Sequence, residues 1–189
     1  MSGDEPDGRR RRGLQRRREL LDAALVVLER DGAAGLTHRR IATEAGVPLA
    51  SASYHFDSID DLIVSTMLHA SEQLRTAARV AAGGADPDVD TLARLLVEDL
   101  RRHRELIVAE YELYLLAARR PALRAAARAW LEAVVVPLIP DADPVQRQLV
   151  LAVADGLCLQ ALMADEPPTA AGFAAVFRRA LEATGSGQR

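Results

Sequence analysis

A stretch in the first third of the chain constrains the fold more than any other. Residues 37–56 read T-H-R-R-I-A-T-E-A-G-V-P-L-A-S-A-S-Y-H-F, two short helical patterns on either side of a glycine. Thr37 can cap the first helix, because its hydroxyl accepts a hydrogen bond from a backbone N–H that is otherwise unpaired. Gly46 suits a left-handed helix end because it has no Cβ, and Pro48 suits the first turn of the next helix, where an N–H would be unpaired anyway.

The second of these helices has an unusual composition. Its residues after Pro48 are short or polar, and it ends in Tyr54, His55 and Phe56. Short side chains let a helix backbone lie close to another surface, as in a helix-turn-helix whose second helix enters the major groove of DNA. Ordinary close packing in a helical bundle is the alternative, but it would require the cap, the glycine turn and the polar serines to coincide by accident.

A family resemblance rests on these residues. The pattern T-x-x-x-I-A-x-x-A-G-V, followed by a short helix, Y-H-F and S-x-D-D-L, resembles the TetR family of bacterial transcriptional regulators. The resemblance covers residues 14–74, and beyond them it rests on length and helix pattern. It implies a homodimer on a palindromic double-stranded DNA operator, and a small-molecule effector that releases a repressor. Ile59 departs from the pattern, since similar regulators often carry a phosphate-binding lysine there.

The rest of the chain is predicted to be helical too. Alanine and leucine dominate and aromatic residues make up only 4% of the 189 residues, which favours helices over strands. Apolar residues spaced by three and four positions predict further helices, which glycines and prolines separate. They are expected over residues 14–30, 59–82, 87–103, 104–120, 121–136, 144–164 and 170–184. The expected fold class is therefore all-α, with about nine helices and no strand.

Charge divides the chain into parts. The net charge is −3, but residues 9–40 carry ten arginines against four acidic residues. We expect residues 1–13 to form a disordered basic arm that touches DNA phosphates or the minor groove, with a solvated tail as the alternative. Residues 14–60 are the expected DNA-binding domain, with the helix-turn-helix at 36–55. Residues 61–184 are the expected effector-binding and dimerisation domain.

Two groups of DNA contacts are expected. Hydroxyl and small apolar groups can read base edges, whereas arginine and tyrosine on phosphates set register and affinity. The candidates for base readout are Pro48, Leu49, Ser51 and Ser53. The candidates for phosphate contacts are Thr37, Arg39, Arg40, Tyr54, His55 and Ser58, while Phe56 is expected in the core.

Two further sites are expected in the second domain. Aromatic rings with polar tips can line a ligand cavity or simply fill the core, and the candidates for ligand binding are His69, Tyr111, Tyr114 and Trp130. The last two helices are apolar enough to pack against a second subunit, with intrachain burial as the alternative. The candidates for this dimer interface are Val153, Leu157, Ala161, Phe173, Phe177 and Leu181.

Other function classes receive less support. The chain has no phosphate-binding glycine loop, no nucleophile motif and no metal-ligand spacing among its four histidines, so we expect no enzyme activity, cofactor or metal. Asp155 is read as structural, and the one cysteine, Cys158, as a core or interface residue in a reducing cytoplasm. No signal peptide or membrane span is expected. A helical regulator whose second domain responds to a protein partner is the alternative function.

Overall fold

A computed structural model describes residues 5–85, 87–135, 139 and 142–185. These residues form nine α-helices and no strand, so the predicted all-α fold is confirmed. The helices are α1 (Glu5–Asp31), α2 (His38–Glu44), α3 (Leu49–His55), α4 (Ile59–Ala81), α5 (Val89–Arg102), α6 (Arg104–Arg119), α7 (Arg124–Val135), α8 (Pro144–Met163) and α9 (Ala170–Gly185). Two 3₁₀ turns, Ala33–Gly35 and Pro121–Leu123, precede α2 and α7. We refer to α1–α3 as the head and to α4–α9 as the body.

The head is organised around one aromatic side chain. Phe56, directly after α3, is buried together with Ile41 and Ala52, so its predicted place in the core is confirmed. The guanidinium of Arg17 lies 4.7 Å from the centroid of the Phe56 ring, and the same side chain donates a hydrogen bond to Ser65 Oγ at 2.8 Å. Arg17, in the arginine-rich segment 9–40, therefore connects α1 to α4 instead of pointing to solvent.

Two predicted helix starts need correction. α1 begins at Glu5, so the predicted disorder is wrong for residues 5–13, while residues 1–4 lie outside the described part. Arginine is a good helix former, and a proline such as Pro6 is tolerated in the first turn of a helix. The run of like charges suggested a disordered segment although its residues are compatible with a helix. α5 begins at Val89 because the Asp88 carboxylate accepts a hydrogen bond from the Thr91 N–H at 2.7 Å. The start expected from the sequence, residue 87, is two positions earlier.

Helix α6 lies between the two hydrophobic cores of the molecule. Leu113 and Ala117 face the core shared with the head, whereas Ile107 and Tyr111 face the core shared with α5, α8 and α9. A helix that is covered on two sides has no single apolar stripe. Leu115, which faces neither core, is exposed.

Besides the hydrogen bond from Arg17 to Ser65, further polar contacts join head and body. The Ala33 N–H donates to Glu112 Oε2 on α6 at 2.9 Å. On the other side, His69 Nε2 on α4 lies 2.7 Å from Asp22 Oδ1 on α1. His103, between α5 and α6, lies 3.1 Å from Glu29 Oε1. The position of the head therefore depends on α4 and α6, which also carry residues of the body core.

Candidate nucleic-acid interface and ligand pocket

The turn between α2 and α3 has the predicted geometry. Thr37 Oγ1 accepts a hydrogen bond from the Arg40 N–H at 3.2 Å, which caps α2. Gly46 has a φ of 65°, a left-handed conformation that side chains with a Cβ rarely adopt. Pro48 is the N-cap of α3 and not its first residue, so the helix begins at Leu49. These local features place α3 across α2 as the second helix of a helix-turn-helix.

One face of α3 is turned to solvent. Pro48, Leu49 and Ser53 are exposed, and Tyr54 is 83% exposed. The opposite face carries Ala52, which is fully buried. An exposed leucine on a short helix offers the apolar contact that recognition of a base edge can use, and an exposed tyrosine offers a hydroxyl to a phosphate.

Solvent exposure differs among three further candidates for DNA contacts. One of them is a candidate for base readout and two are candidates for phosphate contacts. Ser51 is only half-exposed on α3, whereas Thr37 and Ser58 are fully exposed. The Ser58 hydroxyl accepts from the Asp61 N–H at 3.0 Å, as an N-cap of α4. A capping hydroxyl still has its own O–H to donate, so these caps leave a phosphate contact open.

The basic residues of the head are not equally available. Arg39 is exposed, but Arg40 Nη1 lies 3.1 Å from Asp31 Oδ2 at the end of α1. His55 is half-buried, and burial together with the nearby charges of Arg17 and Arg16 lowers its pKa. At neutral pH His55 can therefore donate a hydrogen bond to a phosphate but carries no charge.

The N-terminal part of α1 adds positive charge to the same end of the molecule. Arg10, Arg11 and Arg12 are exposed on this helix. Arg16 is paired with Glu19 at 2.9 Å. Because the segment is helical, successive side chains point about 100° apart, so these arginines spread positive charge around one element that can attract a phosphate backbone.

Three of the four predicted ligand-binding residues form one cluster. The ring of Tyr111 lies edge-on to Trp130, with 5.2 Å between centroids. Tyr114 is 5.9 Å from Trp130 and 6.4 Å from Tyr111. Tyr111 and Trp130 line an inner cavity of about 60 Å³, whereas Tyr114 stands behind them. The inner cavity is further lined by Leu74, Leu96, Asp99, Leu100, Ile107, Glu110, Ala154, Asp155 and Cys158.

His69 does not belong to this cavity. Its ring contacts Asp22 and Gln73 on the side of α4 that faces α1. Leu74, which does line the cavity, is five positions further along α4, and at 3.6 residues per turn the two side chains point about 140° apart. The helix therefore turns His69 to the head and away from the inner cavity, and its role in ligand binding stays a prediction.

Sequence reasoning missed the acidic residues of the cavity. Burial, with Asp99 close by, raises the pKa of Glu110 to about 8. Burial also raises the pKa of Asp99 and of Asp155, which accepts a hydrogen bond from the Tyr111 hydroxyl at 3.1 Å. A signal was present for one of them, since Asp155 is the only charged residue between positions 149 and 163.

Cys158 lies in the same wall. Burial raises the pKa of its thiol to about 12, so the group is a neutral thiol at physiological pH. A neutral buried thiol is a poor nucleophile, and the prediction of a core residue is confirmed.

The predicted dimer interface also needs correction. Phe173 and Phe177 are buried within the chain's own body core, the latter with 0% exposure, so they cannot contact a second subunit. Val153, Leu157, Ala161 and Leu181 are half-buried against the same core. Instead, α8 exposes four large apolar residues, Val145, Leu149, Leu159 and Met163. With Ala152 and Gly156 they recur every three or four positions and form one apolar stripe along the helix.

No helix in the described ranges combines the length and apolarity needed to cross a bilayer. The same residues contain no group of three or more His, Cys, Asp or Glu side chains that could hold a metal ion.

A helix-turn-helix with one exposed recognition face, joined to a helical body, defines a DNA-binding protein. Residues 20–66 match the family of bacterial regulatory proteins described as the tetR family, and residues 83–183 match the tetracyclin repressor-like C-terminal domain. The chain therefore belongs to the TetR family, whose members are DNA-binding transcriptional regulators and not enzymes.

Relatives with known names are similar over different lengths. The HTH-type transcriptional regulator BetI of Brucella anthropi is 36% identical over 81 residues, which are 43% of this chain and 42% of BetI. The nicotine-responsive transcriptional repressor HdnoR of Paenarthrobacter nicotinovorans is 31% identical over 113 residues, 57% of each chain. The chain thus spans about half the length of these relatives. The crystal structure of the multidrug-binding protein EbrR with ethidium is 41% identical, with a TM-score of 0.70, over 87% of this chain and 97% of EbrR.

Proposed function

We propose that the protein is a transcriptional repressor that binds a palindromic operator as a homodimer in the bacterial cytoplasm and is released by a small-molecule effector. The observation that carries this proposal is the combination of an exposed recognition face on α3 with an aromatic cavity in the body. HdnoR is named as a nicotine-responsive repressor and EbrR as a multidrug-binding protein, which supports control by a small ligand.

DNA contacts are proposed for the exposed face of the head. Leu49 and Ser53 lie one helical turn apart on α3 and would read base edges from within the major groove. Tyr54 would donate its hydroxyl to a phosphate, and so would Thr37 and Arg39 with their side chains. The ion pair with Asp31 makes Arg40 a weaker candidate than the sequence alone indicated.

Dimerisation is proposed through the apolar stripe on α8. Val145 and Met163, at its two ends, are 76% and 78% exposed, and Val176 on the neighbouring α9 is 44% exposed. Contiguous apolar surface of this kind is unusual on a monomer and marks an interface. Two copies of α8 and α9 would form a four-helix contact around a two-fold axis. A palindromic operator requires the two recognition helices of such a dimer to reach successive major grooves about 34–36 Å apart.

Effector release is proposed to act through α4 and α6. A small-molecule site generally needs about 300 Å³ or more. The inner cavity is only about 60 Å³, so a ligand must push its walls apart. Leu74 on α4 and Glu110 on α6 belong to these walls, while Glu112 on α6 holds the head at Ala33. Opening of the cavity would therefore shift the two helices on which the position of the head depends.

Genome-wide mapping of bound DNA followed by gel-shift titration tests the DNA-binding part. We expect the protein to bind one or a few promoter regions, including the one next to its own gene, and to do so as a dimer. Leu49→Ala should lower affinity for that site by about 1–3 kcal/mol and leave affinity for unrelated DNA unchanged. Leu115→Ala, an exposed leucine on α6, is the matched control. Equal loss on specific and unrelated DNA would contradict the role of Leu49.

A further inference from the structure

An outer groove leads from solvent to the inner cavity. It has a volume of about 400 Å³ and runs between α1 of the head and α4, α5 and α6 of the body. Leu74, Asp99 and Glu110 line both the outer groove and the inner cavity, so the two spaces adjoin at these side chains. A molecule that reaches Tyr111 and Trp130 by this path passes directly beside Glu110.

The walls of this path are strongly acidic. The outer groove carries Asp22, Glu29, Asp99 and Glu110, and the inner cavity adds Asp155. Among the described residues that line the two spaces, His103 is the only basic side chain, and it is already paired with Glu29 at 3.1 Å. The path therefore presents an excess of acidic groups, which favour cations over anions wherever they are ionised.

Glu110 is half-buried, and it is the carboxyl group of this set that desolvation affects most. Its one hydrogen-bonding side chain within the described part of the chain is Trp130, which is uncharged. The titratable groups around it are Asp99 from α5, Tyr111 from its own helix, Asp155 and Cys158 from α8, and Asp22, Glu29 and His103 in the outer groove. A buried carboxylate without a cationic partner is unstable, which is why burial raises its pKa to about 8.

Aromatic rings complete the site. Tyr111 and Trp130 stand at right angles to each other, with an interplanar angle of 89°, so a flat ring that stacks on one meets the edge of the other. The face of an indole attracts a positive charge more strongly than the other aromatic side chains do. Acidic groups beside such rings recognise a ligand that is both flat and positively charged.

We propose that the inner cavity binds an aromatic cation, with its positive charge at Glu110 and its rings against Tyr111 and Trp130. The proposal rests on the function above, because it names the chemical class of the effector. The cation enters through the outer groove and displaces Leu74 on α4. Its charge then replaces the proton on Glu110, so binding releases that proton to solvent.

The exchange of a proton for the cation fixes the direction of the pH dependence. With a pKa of about 8, Glu110 in the empty protein is mostly protonated at pH 7 and mostly ionised at pH 9. The cation binds the ionised form, so its affinity should rise as the pH is raised towards 8 and level off above that value. For an uncharged ligand of the same shape, ionisation of Glu110 brings no such gain.

Two probes separate charge from shape. N-methylacridinium carries a permanent positive charge, and acridine is an uncharged tricycle of the same outline at neutral and alkaline pH. The chain has a single tryptophan, Trp130, so quenching of its fluorescence reports binding to the full-length free protein. At pH 8.5 we expect the cation to bind at least about tenfold more tightly than acridine, the scale expected for a buried charge pair.

Glu110→Gln keeps the shape of the side chain and removes its charge. This variant should lose the preference for N-methylacridinium and its pH dependence, and it should bind acridine as wild type does. Glu105→Gln is the control, because it removes one charge from an exposed position on the same helix. The proposal is overturned if wild type binds both probes equally or binds neither, or if Glu110→Gln keeps the preference for the cation.

The wild-type comparison stands even if the variant fails to fold. Thermal melting shows whether Glu110→Gln is folded, and the two probes with the pH series on wild type decide the proposal without it. DNA binding by the same preparation is measured separately by gel shift. Retention of DNA binding without a preference for the cation would remove the cation site and leave the proposed regulator in place.

Discussion

The hydroxyl of Tyr111 donates a hydrogen bond to the Asp155 carboxylate at 3.1 Å, which joins α6 to α8 within the wall of the inner cavity. Both groups are removed from water, and the pKa of Asp155 is raised by burial in spite of this hydrogen bond. The body core thus contains a polar contact in the wall where the aromatic cluster meets the acidic residues. Such a contact specifies how the two helices are aligned.

Tyr111→Phe should destabilise the protein while the cavity keeps its shape. Loss of the hydroxyl leaves the Asp155 carboxyl without its donor, which costs about 1–3 kcal/mol. Urea unfolding followed by Trp130 fluorescence measures the change in free energy of unfolding. Tyr54→Phe is the matched control, because Tyr54 is exposed and should leave stability unchanged. Equal stability of both variants would show that the hydrogen bond contributes nothing.

Tyr54→Phe and Ser53→Ala should have different effects on DNA binding. Removal of the tyrosine hydroxyl takes away a phosphate contact, so affinity should fall by a similar factor on every sequence. Removal of the serine hydroxyl should change base preference at one position, by about 1 kcal/mol or more. Selection from a randomised operator library, with gel-shift affinities beside it, separates the two. If Tyr54→Phe altered preference with unchanged total affinity, the assigned roles would be reversed.

Replacing Arg10, Arg11 and Arg12 with glutamine should flatten the salt dependence of DNA binding. Each phosphate contact that is lost removes about 0.9 from the slope of log affinity against log salt concentration. Three exposed arginines of the body, Arg119, Arg128 and Arg179, can be replaced in the same way as the control for net charge. An identical slope in wild type and the variant of residues 10–12 would identify this part of α1 as a solvated helix.

Leu159→Arg should convert the proposed dimer into a monomer. The residue lies in the apolar stripe of α8, and a two-fold axis would bring the new charge against apolar surface or against its own copy. Sedimentation velocity measures the mass in solution, and affinity for a palindromic operator should fall with dimerisation. Leu115→Arg, on an exposed leucine of α6, should leave both unchanged. A Leu159→Arg dimer of normal affinity would place the interface elsewhere.

Glu112→Ala should weaken communication between effector and DNA. The carboxylate holds the Ala33 N–H from the same helix that carries Glu110 and Tyr111. We expect effector binding by the free protein to be unchanged, and the coupling free energy, about 1–3 kcal/mol in such systems, to fall. Glu112→Gln retains an acceptor and should behave as wild type. Effector titration of the operator complex measures the coupling, and an unchanged value for Glu112→Ala would leave α4 as the connection.

Local interactions explain what could be predicted from the amino-acid sequence. The threonine cap, the left-handed glycine and the helix boundary at Pro48 depend on residues at most a few positions apart, so the helix-turn-helix is encoded in about twenty neighbouring residues. The helical periodicity of the body is local in the same sense. The fold class and the number of helices follow from this periodicity. The core position of Phe56 follows from its apolar ring at the end of α3.

Burial depends on which helices meet, and only the tertiary structure decides that. Phe173 and Leu159 both lie on apolar helix faces in the sequence, but α5 covers the first and the second remains on the surface. Asp99, Glu110 and Asp155 come from three helices and are 11 and 45 positions apart. Asp99 and Glu110 look like ordinary surface charges in the sequence, and only Asp155 stands alone in an apolar stretch. The folded body places them around one cavity, because desolvation and proximity arise from packing between distant segments.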